Sequence, residues 1–232
     1  MRASLLIATR NRAAQLAQGL ASIRRQGYRE VESILVDDNS DDGTAAVVQE
    51  NSDWLSRVHR IRRDGGYRLN PSSTWNLAHR LASCEITIEQ GGEVCHLTNC
   101  VDPLIAACRP GLIALARVYH GEPEAMRLLA EQIANGTHAL PDDVEAFRPT
   151  TEAGRWPCAK VGPFDLYCGL ERQAPFLFLG AIHRTDFEAL GGYDEARKDR
   201  NDTDLANRLI ARGARFRFLG KAVAFHLRHG RA

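Results

Sequence analysis

The sequence predicts an α/β fold in which a mostly parallel central sheet is flanked by helices. Three observations carry that expectation. Residues 4–8 and 33–36 each open on a serine and are otherwise continuously apolar rather than alternating, as strands covered on both faces are. A segment with apolar residues at helical spacing follows each run, so strand and helix alternate. Each run also stops at a knot of polar side chains, Thr9-Arg10-Asn11 and Asp37-Asp38, and a parallel sheet brings two such knots to one edge, where ligands of open α/β sheets bind.

Taken in order, the first strand precedes a helix with Leu16, Leu20 and Ile23 on one face, and Gly27 stands where that helix should end. The second strand leads to a helix reaching Glu50, with Ser40 and Asp41 as its capping residues. The basic segment 59–63 reads as solvated chain. A glycine- and proline-punctuated loop, "RDGGYRLNPSS", separates it from a helix over 74–82. A third strand is predicted over 85–88, ending in "EQGGEV", and another over 112–119. Pro123 at a first helical position, then Met126, Leu129, Ala130 and Ile133, with Gly136 beyond, define a further amphipathic helix. Residues 138–175, rich in Pro, Gly and polar side chains, read as a loop-rich insertion. Beyond it, "TDFE" at 185–188 has the form of a capping box, closed by Gly191-Gly192. A last helix starts at Asn201 or Asp202 and ends before Gly213, and two short strands over 215–219 and 222–226 complete the chain.

Composition narrows the function. A chain of 232 residues with 44% hydrophobic content can fill a sizeable core. The 30 Lys and Arg residues nearly balance 29 Asp and Glu, with no basic patch interleaved with aromatics, so a nucleic-acid partner is not expected. Six cysteines, at 84, 95, 100, 108, 158 and 168, form no CxxC pair and read as free thiols. The apolar run at 3–8 is too short for a secretory leader or a membrane span. A soluble cytoplasmic protein is expected, with peripheral membrane association and oligomeric state left open.

"LLIATRNR" at 5–12 with "ILVDDNSDDGT" at 34–44 resembles the opening of nucleotide-sugar glycosyltransferases of the GT-A fold, particularly family 2. "FLGAIHRTDFEALGGYDE" at 178–195, followed by "NDTDLANRLIARG" at 201–213, resembles the acceptor half of such enzymes and is also similar to a galactosyltransferase-like C-terminal half. The resemblance implies a single GT-A-like domain over residues 1–232, with a donor-binding half (1–100) and an acceptor-binding half (101–232). It implies a nucleotide-sugar donor, UDP-linked by expectation, and a glycan or other hydroxyl acceptor, as in polysaccharide biosynthesis.

The residues agree with this chemistry. A nucleotide needs a carboxylate to accept from its base or ribose, which Asp38 with Asp37 beside it supplies, and a short hydroxyl-bearing loop, which Thr9, Arg10 and Asn11 supply. The resemblance adds Arg68 and Asn76 to the donor side. It also implies a divalent cofactor, Mn2+ or Mg2+, held where two aspartates flank one residue. Here that position reads Gly91-Gly92-Glu93, so the first carboxylate is missing and Glu93 remains. His226 matches a histidine that completes the metal shell, with His229 as a supporting group. Asp202 corresponds to the catalytic base that takes the acceptor's proton in an inverting transfer. Gly191, Gly192, Asp194 and Asp204 fall on the acceptor side, and Trp156 is a candidate for stacking on a sugar. A retaining transferase like the polypeptide N-acetylgalactosaminyltransferases, and a degenerate nucleotide-binding member without turnover, stay open as alternatives.

Overall fold

The computed structural model describes residues 2–62, 71–140, 142–146, 160–161, 164–166, 177–197 and 201–229. In chain order the elements are β1 (Ala3–Thr9), α1 (Ala13–Gln26), β2 (Val31–Asp38), α2 (Thr44–Glu50), β3 (Arg57–Ile61), α3 (Pro71–Leu81), β4 (Ile86–Gly91), β5 (Val94–His96) and α4 (Val101–Ala107). They continue with β6 (Leu112–Gly121), α5 (Pro123–Ala134), β7 (Val144–Ala146), β8 (Lys160–Val161), β9 (Phe164–Leu166), β10 (Leu179–His183), α6 (Arg184–Ala189), α7 (Asn201–Ala211) and β11 (Arg215–Leu227).

The main sheet runs β3-β2-β1-β4-β10-β6-β11-β5. β3, β2, β1 and β4 are parallel, β10 is antiparallel to both β4 and β6, and β6 is parallel to β11. Alternation along β1 shows why its run is apolar throughout. Leu5 and Ile7 pack with Leu16, Leu20 and Ile23 of α1, whereas Leu6 meets Ala78 of α3 on the opposite face. Helices therefore cover both sides, as expected for a strand with no polar alternation. Gly27 closes α1 in the left-handed region at φ 66, and its N–H donates to the Arg24 carbonyl.

Several elements depart from the sequence expectation. The basic segment is an edge strand, β3. Its residues are solvent-facing, with Val58 44% exposed, so its pattern is that of solvated chain. α3 begins at Pro71, three residues before the expected start. β5, α4 and β10 are each too short or too uniformly apolar to announce themselves by period. The two C-terminal strands are one: Gly220-Lys221, which reads as a turn, lies in a register shift between Leu219 and Val223 while β11 continues along β6.

Two caps also differ. Asp42, not Asp41, serves α2, accepting from the Thr44 N–H at 2.9 Å and from the Ala13 N–H at 3.0 Å. α6 is capped by His183, whose side chain accepts from the Thr185 N–H, so Thr185 and Glu188 do not form a capping box. Within the expected insertion, β7 pairs with β11 and β9 pairs with β6. The cysteines at 84, 95, 100 and 108 are free thiols, and burial pushes those of Cys95, Cys100 and Cys108 up to about 12. Among the described residues no helix is long and apolar enough to cross a membrane.

Candidate active site

Parallel register sets the site. Thr9 lies beside Asp37 and Ala8 beside Gly91, so β1, β2 and β4 end at one edge. Asn11, left-handed at φ 48, ties the loops after β1 and β2 together. Its Oδ1 accepts from the Asp41 N–H at 2.9 Å, and its N–H donates to Ser40 Oγ at 2.9 Å. Asp37 is 1% exposed; its Oδ1 accepts from the N–H and hydroxyl of Ser40, and its Oδ2 accepts from Arg60 Nε at 3.2 Å. Asp37 thus builds the loop, with both oxygens engaged inside the protein. Asp38 adjoins Arg10, whose Nη1 is 3.9 Å from its Oδ2. Thr9 Oγ1 is buried and makes no hydrogen bond among the described residues. Thr9, Arg10, Asn11, Asp37 and Asp38 therefore assemble as one group, while Arg68 and Trp156 lie outside the described residues.

Asn76 does not join this group. Its Nδ2 donates to the Tyr193 carbonyl at 3.0 Å and to Glu195 at 2.8 Å, and its Oδ1 accepts from the Tyr193 N–H at 2.8 Å. The amide clamps the turn around Tyr193 and Glu195 instead of bonding to the β1 and β2 loops. Gly191 and Gly192 have φ of 70 and 79, and a Cβ on Gly192 would come 2.5 Å from Asn76 Oδ1. That turn therefore needs glycine for its backbone and for the clamp. Asp194 is exposed and accepts from the Ala196 N–H. Asp204 is held by Arg197 at 3.2 Å and Arg208 at 2.8 Å, which makes it a brace of the α7 start.

β11 carries His226 and His229 to Glu93. His226 pairs with Val94 across β5 and with His120 across β6, and the Leu227 N–H donates to the Glu93 carbonyl. Glu93 Oε1 lies 3.3 Å from His226 Nε2, 3.6 Å from His229 Nε2 and 2.7 Å from Arg12 Nη1. Burial alone would raise the Glu93 carboxyl, but hydrogen bonds with His226 and His229 and the charge of Arg12 outweigh it and hold it well below the usual range. The ligand-capable atoms of Glu93, His226 and His229 lie within 4.8 Å of one another. Glu93 Oε2 is buried and makes no hydrogen bond among the described residues. One anionic oxygen donor and two imidazoles at this spacing fit a divalent cation.

At the start of α7, Asp202 has its carboxyl pushed up to about 6, by burial first and also by the charge of Glu89. Glu89 itself is a buried hub: His79 Nε2 lies 2.7 Å from its Oε1, and the Tyr193 hydroxyl donates to its Oε2 at 2.5 Å. In the sequence Glu89 reads only as a poor substitute for the missing metal carboxylate, and Arg12 and His120 are not singled out. Arg12 stands within the quoted "TRNR", where its residue type was visible and its partner was not. His120 carries no signal in the chain, because only the β6–β11 register sets it against His226.

Residues 4–147 match Glycosyl transferase family 2. In sequence, no curated protein matches the chain. In structure it is similar to TarS of S. aureus, with a TM-score of 0.66 at 15% identity, covering 98% of this chain and 37% of that one. It is also similar to GalNAc-T7 solved with UDP, GalNAc and Mn2+, with a TM-score of 0.66 at 15% identity over 98% of this chain and 44% of that one. A third is the mannosyltransferase PcManGT from Pyrobaculum calidifontis solved with GDP-Man and Mn2+, with a TM-score of 0.61 at 18% identity over 100% of this chain and 58% of that one. The chain thus spans between about a third and three-fifths of those proteins' length, and the sheet it shares with them is the GT-A fold. Because the family match runs from the first strand to β7 and takes in both polar loops and the Glu93 turn, this chain belongs to glycosyl transferase family 2.

Proposed function

We propose that the chain is a metal-assisted glycosyltransferase that moves a sugar from a UDP-sugar to an acceptor hydroxyl with inversion. In this reading the chain works as one unit, residues 1–100 serving the donor and 101–232 the acceptor. The observation that carries it is the presence in one fold of three chemically different groups: Thr9 and Asp38 at the shared ends of β1 and β2, a cation-compatible set at Glu93, His226 and His229, and Asp202 with raised proton affinity.

Asp38 accepts from a donor on the base or ribose, with Arg10 beside it. Thr9 Oγ1 offers the hydrogen bond that it does not make within the described protein. Glu93, His226 and His229 would hold a divalent cation, which when bound would supply neutralisation of the leaving diphosphate. Asp202 takes the acceptor's proton as its oxygen attacks, and a carboxyl titrating at about 6 is a stronger base than an ordinary aspartate while still ionised at neutral pH.

TarS has been solved with UDP-GlcNAc and with UDP, which supports a uridine donor, and GDP-Man in PcManGT makes guanosine the competitor. Thermal shift with UDP, GDP and CMP, followed by assays of UDP release from a panel of UDP-sugars, tests the reading. UDP is expected to stabilise most, and Asp38→Ala to remove most of that shift, since an unpaired buried donor costs about 1–3 kcal/mol. An unchanged shift in that variant ends the nucleotide assignment. The anomeric configuration of the product, read by NMR, separates inversion from retention, and binding without release or transfer identifies a degenerate member.

A further inference from the structure

Two neighbouring residues of the β4–β5 turn fit each other. Glu93 folds back over Gly91: a Cβ built on Gly91 would lie 2.9 Å from Glu93 Cδ and from Oε1, and 3.1 Å from Oε2. Gly91 is not glycine for the sake of its backbone. It is a strand residue in register with Ala8, and its φ is not in the left-handed region. Its missing side chain is room for a carboxylate.

The carboxylate so admitted lands between two imidazoles, His226 at 3.3 Å and His229 at 3.6 Å. His226 Nδ1 is 3.0 Å from His120 Nδ1, so one ring can donate to the other while His226 Nε2 points at the cluster. With His226 Nδ1–H as the donor to His120, the bond orients the ligating ring, leaves its Nε2 lone pair free and raises its basicity. Arg12, at 2.7 Å from Oε1, offsets the single negative charge of the set.

We infer, resting on the reading of Glu93, His226 and His229 as metal ligands, that Gly91 and Glu93 together make a one-carboxylate, two-imidazole centre that selects Co2+, Zn2+ or Mn2+ over Mg2+. Mg2+ seeks oxygen ligands in near-ideal octahedral geometry and keeps its waters, so it gains little from imidazole and needs anionic charge that Arg12 here cancels. Later first-row cations gain from each nitrogen, in the order Mn2+ < Co2+ and onward. Any side chain at 91 drives the carboxylate off the histidines, even one that brings no new donor.

The test is calorimetric titration of the nucleotide-free chain with Co2+, Mn2+ and Mg2+, with the visible absorption of bound Co2+ as an independent reading of nitrogen ligation. The parent chain, Gly91→Ala and His229→Ala are compared. Co2+ is expected to bind more tightly than Mn2+, Mn2+ more tightly than Mg2+, and Gly91→Ala to weaken Co2+ by about 10–100-fold, as loss of a supporting contact to a metal site does. His229→Ala removes a ligand at a partly exposed position and gives the same loss should the glycine variant fail to fold. Mg2+ binding as tightly as Co2+, or undiminished Co2+ affinity in both variants, overturns the inference. UDP thermal shift in chelator reads the donor site separately: cation ranking as stated with no UDP binding supports the centre and overturns only the donor assignment.

Discussion

At the residue scale the sharpest consequences belong to Asp202. Its carboxyl is raised from 3.8 to about 6 by burial and by Glu89, so the folded chain holds a proton there more tightly than the unfolded chain does. A group of this kind favours folding below about pH 4, and that contribution is lost as pH rises through 6. The difference of about two units is worth about 3 kcal/mol, at 1.36 kcal/mol per unit. Asp202→Asn removes the buried charge, so it should raise Tm at pH 7.5, and the gain should vanish near pH 4. The same variant should lose transfer by roughly 10²–10⁴-fold with UDP affinity intact, the range for a missing general base. In the parent, kcat/KM should fall on an acid limb centred near pH 6. Glu89→Gln should move that limb to lower pH, which a merely structural loss would not do. A near-parent rate in Asp202→Asn would transfer the role of base elsewhere, with Asp204 next in the chain.

At the element scale α3 and the turn before α7 act as one piece because Asn76 closes three hydrogen bonds onto Tyr193 and Glu195. Asn76→Ala leaves the buried Tyr193 N–H without its acceptor, at a cost of about 1–3 kcal/mol. The expected pattern is a raised KM for acceptor with an unchanged UDP shift. Weakened UDP binding with unchanged acceptor KM would return Asn76 to the donor side, where the family resemblance assigned it. The Gly192→Ala variant attacks the same clamp from the other partner, since its φ of 79 and the 2.5 Å approach to Asn76 Oδ1 both oppose a side chain. It should lower Tm more than Gly27→Ala, whose added Cβ meets nothing within 4 Å although its φ of 66 carries the same kind of strain.

Across the whole molecule, helix packing reaches the metal-compatible turn. Gly19 in the middle of α1 sits under that turn, and a Cβ there would come 2.5 Å from the Gly92 carbonyl and 3.1 Å from the Val94 carbonyl. Both contacts are backbone, so neither can swing aside. Gly19→Ala should destabilise by about 1–3 kcal/mol, as overpacking does. It should also weaken Co2+ binding by lifting Glu93 away from His226, although it lies on a helix far from either residue in sequence. Denaturant unfolding reads the first effect and calorimetry the second. Lower stability with parental Co2+ affinity would show that the turn adjusts independently of the helix.

The apolar runs at 4–8 and 33–36 determined by themselves that this chain forms a parallel sheet covered on both faces, because a strand buried on two sides has no room for polar alternation. The polar knots that end them, and the carboxylates and imidazole at 93, 202 and 226 on which the proposed function draws, were equally legible as residue types. Partners were not. Asn76 reads as a donor-side amide until the fold sets it against Tyr193, and Asp37 reads as a ligand-facing carboxylate until Ser40 and Arg60 close on it. Nothing in the chain shows that Arg12 pairs with Glu93, that His120 meets His226 or that the missing side chain of Gly91 is room for the Glu93 carboxylate. Those contacts exist because β6, β11 and β5 run in a particular register and because a glycine leaves space, and register and free volume are properties of packing, which brings His120 to His226 across 106 residues of chain.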